Sequence, residues 1–380
     1  RPGESHAVNA GVIAAAVRVT TYGMQHEMTA LHSTETEQRV GADDLRAFAF
    51  DILSKHGVDT DQAGSVADAM IWCELVGRPN FGISRLPILT RRVEMGLIKA
   101  PCNLTFEESA PAVHLLDGDA GFGHHVCRRA MERAIDLART NGVGVVGVRD
   151  SNFFGANAYF CNMASEAGMA SLVLTNSFPK VTAHGGVKPV MGTNPFAFGA
   201  PLGRGRRSLL VDMATAASAG SLIREYMMKG WSLPPGIAID DEGQPITDPA
   251  KVASGTMLPF GGAKGYGLAL MVEILSGVIT GAGICHGVAS MYGNFERSAD
   301  IGHFVLALDL KRFMAEEVLD ARMGEFVDAI RGAGPDVLLP GEVRWQHFDD
   351  YSANGIPVDP KMAATLGELI ERHRVTPPWA

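Results

Sequence analysis

Apolar residues along the chain recur first with helical spacing and then in short runs. Leu45, Phe48, Ile52 and Leu53 fall on one face behind Asp43 and Asp44, which can cap a helix. Val66, Met70, Ile71 and Leu75 repeat the pattern from Thr60 or Asp61. Gly77-Arg78-Pro79-Asn80-Phe81-Gly82 interrupts it, and a third helix is expected from Arg85 to Leu97. A short strand over Ala112 to Leu116 ends at Asp117-Gly118-Asp119 and leads into a long helix, His124 to Thr140. The β-branched run Val143 to Val148 reads as a buried strand. A helix near 156–167, strands at Ser171–Leu174, Leu209–Asp212 and Phe304–Leu308, and helices near 315–331 and 360–372 follow. Strands alternating with helices predict an α/β protein. The longest apolar stretch, 263–283, carries Lys264 and Glu273, which fits a buried amphipathic helix better than a membrane span.

Composition narrows the function classes. A chain of 380 residues that is 46% hydrophobic can bury a large core in one domain or two to three lobes. Its 42 acidic against 33 basic residues give a net charge of −9 with no basic run, which argues against nucleic acid or an anionic membrane as partner. Cys73, Cys102, Cys127, Cys161 and Cys285 are an odd, widely spaced set without CxxC spacing. Reduced thiols in a cytoplasmic protein are expected rather than a disulfide framework or a zinc site. Val8 to Val19 loosely resembles a signal-peptide core but has no clear cleavage site, so residues 1–38 are expected to form a flexible N-terminal extension.

Glycine carries the candidate chemistry. Two stretches, Ala183-His184-Gly185-Gly186-Val187-Lys188-Pro189-Val190-Met191-Gly192-Thr193-Asn194-Pro195 and Phe260-Gly261-Gly262-Ala263-Lys264-Gly265-Tyr266-Gly267-Leu268, flank Val211-Asp212-Met213-Ala214-Thr215. Glycine admits close backbone approach and positive φ, so these segments point to an extended, phosphate-bearing small molecule. Lys264 at a helix start suits an anion, because helix N-termini attract negative charge. Asp212 ends a strand and either meets a ribose or nicotinamide or caps a loop. Arg85 either clamps a carboxylate or forms a surface ion pair. His184 borders the glycines, in a catalytic or a structural role. Gly142-Val143-Gly144-Val145-Val146-Gly147 matches GxGxxG but lies within the strand run, not at a strand-to-helix turn, and is read as a decoy. His124, His125 and Cys127 lack a completing metal ligand, and capping or packing is the simpler role.

Taken together, these segments resemble the malate/L-lactate dehydrogenase-type family, the non-Rossmann lactate dehydrogenase group, across about residues 40–375. The carriers are Asp117-Gly118-Asp119-Ala120-Gly121-Phe122-Gly123, Ser151-Asn152-Phe153-Phe154-Gly155, Thr175-Asn176-Ser177, the two glycine stretches, Asp212-Met213-Ala214-Thr215 and Asp248-Pro249. The resemblance implies a non-Rossmann α/β fold. A mixed-sheet dinucleotide-binding domain would span 151–309. A helix-rich substrate and dimerisation domain would be built from 39–150 and 310–380. It further implies a homodimer that uses NADPH or NADH on a small carboxylate substrate. Ser177, His184, Gly185, Gly186, Thr193, Asn194, Asp212, Met213, Ala214, Gly262, Lys264 and Gly265 are assigned to the cofactor and Arg85 to the substrate carboxylate, in a catalytic set with His184, Asn152 and positions 81 and 153.

Two departures alter the expected chemistry. The family usually reads Ser-His-Gly where this chain has Asn80-Phe81-Gly82, and Ser-Asn-His-Phe-Gly where it has Ser151-Asn152-Phe153-Phe154-Gly155. Both proton-transfer histidines are thus replaced, by Phe81 and Phe153. Loss of a general acid typically costs about 10²–10⁴-fold in rate. An imine substrate would need that acid less; alternatively His184, His125 or a water supplies the proton, or the scaffold has left redox chemistry. The expectation is a reductase of a cyclic imino acid or a bulky 2-oxo acid. A lyase, cyclase or isomerase on the same scaffold is the alternative. Arg204, Arg206 and Arg207 either meet a 2′-phosphate or form a solvated turn.

Overall fold

The computed structural model describes residues 38–379, so the expected N-terminal extension, apart from Gln38, lies outside the described residues. Among the described residues the largest sheet has seven strands: β1 (Thr105–Ala110), β2 (Val113–Asp117), β3 (Val143–Ser151), β4 (Met169–Thr175), β5 (Phe196–Ala200), β6 (Leu209–Met213) and β7 (Ile301–Asp309). Their spatial order is β1-β2-β3-β7-β4-β5-β6. Only β2 and β3 pair in parallel, as a connection through a helix requires, and the other pairs are antiparallel. The last strand in sequence joins the two halves: Leu306 of β7 lies opposite Val145 of β3 and Leu172 of β4.

The sheet crosses the expected domain boundary at 150. β3 runs through position 150, and β7 ends at 309 while paired to strands from each side. Helices Gly123–Asn141 and Asn157–Glu166 cover one face and share a core of Val126, Ala130, Val146, Phe160 and Val305 with Trp72 and Trp345. A second, helical core joins Ala42–Lys55, Thr60–Leu75, Leu86–Glu94 and Pro360–His373 through Leu45, Ile52, Met70, Leu86 and Leu366. Pairing of Arg39–Val40 with Ile356–Pro357 ties the two ends of this layer together. A smaller four-stranded sheet, which includes Val181–Thr182 and Thr256–Met257, packs with helix Gly220–Lys229 around Ile223, Leu233 and Ile237.

The GxGxxG match is a packing device. Gly142 caps the Gly123–Asn141 helix with φ 85°, and Gly144 lies so close beneath that helix that a Cβ would sit 2.0 Å from the Ala134 carbonyl oxygen. Several local expectations shift. Asp59, not Thr60 or Asp61, caps the second helix, its carboxylate accepting the Gln62 N–H at 3.1 Å. The third helix runs only over Leu86–Glu94, because Arg85 belongs to a tight turn, Ile83–Arg85. Strands β1 and β5 and helices Gly220–Lys229 and Glu342–Asn354 were not anticipated. Among the described residues no helix is long and apolar enough to cross a membrane.

Candidate active site

The glycine stretches converge although the chain between them forms other elements. Gly261 and Gly262 take φ 56° and 63° just before helix Ala263–Glu273, and the His184 ring lies 3.5 Å from where a Gly262 Cβ would be. Gly185 takes φ 85° with open space around it. Lys264, His184 and Met213 are exposed, so an open backbone cradle is edged by a cation at a helix N-terminus.

Hydrogen bonds hold the cradle from behind. The Thr193 N–H donates to Ser177 Oγ at 3.1 Å, and the Ser177 N–H to Asn194 Oδ1 at 3.3 Å. The Thr215 N–H and hydroxyl both donate to the Thr193 carbonyl, and the Phe260 N–H donates to the Thr215 carbonyl at 3.0 Å. Asn194 is buried and donates to Ala269 O and to Glu273 Oε2 at 2.7 Å, while Glu273 Oε1 accepts the Cys285 N–H. Asn194 is therefore a brace, not a group facing a ligand. Asp212 is likewise turned inward: its carboxylate accepts from the Ala158 N–H at 3.2 Å and from Arg344 at 3.3 Å, so it caps helix Asn157–Glu166. Gly265 packs the new helix onto Phe260, whose carbonyl a Cβ would meet at 2.1 Å. Gly186 and Ala214 are half-buried in the cradle wall.

A second region is aromatic. The rings of Phe81 and Phe153 stack at 6.3 Å with 24° between planes. His124 stands edge-on to Phe153 at 5.6 Å, fully buried, with no hydrogen-bond partner on either ring nitrogen. Burial pulls its pKa down to about 3, so the imidazole is neutral near pH 7 and cannot act as an imidazolium acid. His125 faces away, its Nδ1 3.0 Å from Ser65 Oγ. Asn152, expected beside the substrate, is a correction: it is buried, its amide donates to the Ala120 and Gly121 carbonyls, and its oxygen accepts the Ala299 N–H.

Arg85 is half-buried and forms no ion pair among the described residues. Its Nε donates to the Asn80 carbonyl at 2.7 Å, and its guanidinium lies 5.6 Å from the Tyr292 ring centre. Tyr292 in turn contacts Phe178 at 6.3 Å, next to Ser177, and so links the arginine region to the cradle. The Tyr292 loop is fixed by buried Arg92, which donates to the carbonyls of Met291, Asn294 and Arg297. Sequence reasoning missed Tyr292 and Arg92, as well as Glu74 and Glu273. For Glu74 a signal existed: a lone acid inside the apolar run Ala69-Met70-Ile71-Trp72-Cys73-Glu74-Leu75.

Arg204, Arg206 and Arg207 are engaged elsewhere. Arg204 approaches Glu316 at 3.7 Å, Arg206 reaches the Leu202 carbonyl, and Arg207 pairs with Asp349 over the Trp345 and Phe348 rings. They precede β6, while Asp212 and Met213 end it. Lys180 instead flanks the cradle, its N–H bonded to the Met191 carbonyl and its ammonium 5.0 Å from the Phe178 ring centre. Burial, and then the charge of Arg224, lower its pKa.

An open glycine-lined cradle and an aromatic region that bears Arg85 thus lie on one α/β scaffold. The family model described as malate/L-lactate dehydrogenase matches residues 40–367. The L-sulfolactate dehydrogenase of Methanothermobacter thermautotrophicus is 39% identical over 312 residues, 82% of this chain and 90% of that protein. The Delta(1)-pyrroline-2-carboxylate/Delta(1)-piperideine-2-carboxylate reductase of Pseudomonas aeruginosa is 30% identical over 337 residues, 88% of this chain and 99% of that protein. The solved sulfolactate dehydrogenase of Methanocaldococcus jannaschii superposes with a TM-score of 0.83 at 32% identity, covering 89% of this chain and 98% of that one. The chain belongs to the malate/L-lactate dehydrogenase family and is an oxidoreductase.

Proposed function

We propose that the protein is an NAD(P)H-dependent reductase of a cyclic imino acid or a bulky 2-oxo acid. The observation that carries this reading is the Phe81–Phe153 stack, backed by a neutral His124, where a proton-donating pair would otherwise stand. The cradle fits a dinucleotide: positive-φ glycines open onto solvent ahead of a helix whose N-terminus carries Lys264. His184, Gly185, Gly186, Thr193, Met213, Ala214, Gly262 and Lys264 would line the cofactor, with Ser177, Asn194 and Asp212 holding those segments in place. When bound, the nicotinamide supplies the hydride.

Arg85 then presents its guanidinium to the substrate carboxylate, with Tyr292 covering one face. Phe81 and Phe153 exclude water and favour a flat, apolar substrate body. A protonated iminium brings its own proton and becomes a neutral amine after hydride addition, so the lost acids matter least there. For a 2-oxo acid the alkoxide needs a proton, and His184, exposed at the cradle edge, is the candidate donor.

The protein is further read as a homodimer. Leu270, Ile274, Val278 and Ile279 lie exposed along helix Ala263–Glu273 and the turn that continues it, a stripe of large apolar side chains continuous with the cradle helix. Calorimetric titration with NADPH and, separately, NADH tests the central reading. Micromolar binding of either supports it, and absence of both sinks it in favour of non-redox chemistry.

A further inference from the structure

We infer that Glu74 is a positioning residue for the substrate carboxylate: from beneath the Gly82–Ile83 peptide, its side chain fixes the turn that carries Phe81 and Arg85. This rests on the reading of Arg85 as the carboxylate clamp.

Glu74 lies near the end of helix Thr60–Leu75 and is 3% exposed. Its Oε1 accepts the Ile83 N–H at 2.9 Å. The Gly82 backbone lies directly on the carboxyl, where an added Cβ would come within 1.9 Å of Oε1 and 2.4 Å of Cδ. Two tight turns, Pro79–Phe81 and Ile83–Arg85, meet at this glycine. The Gly82 N–H donates to the Pro79 carbonyl, and the Arg85 N–H donates to the Gly82 carbonyl at 3.0 Å. The peptide held by Glu74 is therefore the pivot between the phenylalanine of the pocket and its arginine.

Stability alone does not account for an acid at this position. No lysine, arginine or histidine pairs with Glu74 among the described residues, and an unpaired carboxyl in an apolar interior is costly. A well-packed hydrophobic residue commonly stabilises such a site more. Burial raises its pKa to about 8 against the opposing Ile83 N–H, and Asp359 raises it further, so the group is largely a neutral acid near pH 7. Glutamine therefore mimics it closely: it offers the same carbonyl oxygen to Ile83.

The test measures binding of picolinate, a flat cyclic 2-carboxylate that cannot be reduced under these conditions, to the NADPH-loaded protein by calorimetry. KM and kcat for Δ1-piperideine-2-carboxylate are measured in parallel. Glu74→Ala is expected to weaken picolinate binding and raise KM about 3–10-fold, the range for one lost hydrogen bond, with kcat and NADPH affinity little changed. Glu74→Gln is expected to restore both to within about twofold of the parent protein. In an Arg85→Ala background, Glu74→Ala should add much less than it costs alone, because most of its effect passes through that arginine. Should Glu74→Ala unfold, Glu74→Asp, shorter by one methylene, must still raise KM. Weakening by Arg85→Ala but not by Glu74→Ala or Glu74→Asp would overturn this inference alone, as would full additivity in the double variant. Picolinate failing to bind a protein that binds NADPH would overturn the Arg85 clamp and this inference together.

Discussion

Phe81 and Phe153 stack at 6.3 Å although they belong to different segments, one in a turn after helix Thr60–Leu75 and the other just past β3. Two aromatic residues far apart in the chain thus become one apolar wall. Returning histidine at both positions is expected to raise reduction of a small 2-oxo acid at least about tenfold, part of the 10²–10⁴-fold that general acid catalysis supplies. Steady-state rates on pyruvate for the single and double variants check this. Equal rates in all four proteins would mean that the pocket differs beyond these rings.

Among the described residues Arg85 has no acidic partner, which leaves the guanidinium available. A hydrogen bond to a charged group contributes about 1.5–3 kcal/mol, so Arg85→Ala should raise KM for a carboxylate substrate about 10–100-fold while NADPH affinity holds. An unchanged KM would remove Arg85 from the substrate site.

Glu74 also sets a pH dependence of stability. Its folded-state pKa of about 8 lies above the ordinary 4.5. Between those values the folded protein keeps a proton that the unfolded chain has released, so this contribution is complete below about pH 4.5 and is lost as pH rises towards 8. Glu74→Gln is expected to match the parent protein near pH 4.5 and to gain on it with increasing pH, by on the order of a few kcal/mol at pH 8. Urea unfolding at pH 5 and pH 8 reads the difference. A constant offset at the two pH values would contradict the burial of this acid.

The two glycine signatures should separate by mutation. Gly144→Ala places a Cβ against the Ala134 carbonyl and is expected to cost roughly 1–3 kcal/mol of stability, with NADPH binding retained in the folded fraction. Lys264→Ala should do the reverse, leaving the melting temperature in place and weakening NADPH about tenfold. Melting curves with calorimetry on both variants decide it, and loss of NADPH affinity in folded Gly144→Ala would restore the discarded motif.

The apolar stripe on the cradle helix gives a test of assembly. Ile274→Asp with Val278→Asp should convert a dimer to a monomer at micromolar concentration in analytical ultracentrifugation, since an acid buried in an apolar interface is strongly unfavourable. A parent protein that sediments as a monomer would refute the homodimer reading outright.

The sequence by itself determined the α/β class and most helices, and it marked the glycine segments that the fold brings together. Helical periodicity from Leu45 to Leu75, the valine run of β3 and the glycine clusters are local signals, and local sterics make them readable. What it could not supply was the pairing of distant segments. β5 is short and its partners are chosen by β4 and β6, so it shows no pattern of its own. The family resemblance assigned Asn152, Asn194 and Asp212 to the ligands. Only the fold decides that their side chains turn inward, since the carbonyls and N–H groups they satisfy come from residues 75 positions away for Asn194 and 54 for Asp212. The same holds for Glu74. Its residue type was visible, but its task arises only where the helix end meets the Gly82–Ile83 peptide, because a buried acid has meaning only through the groups that surround it.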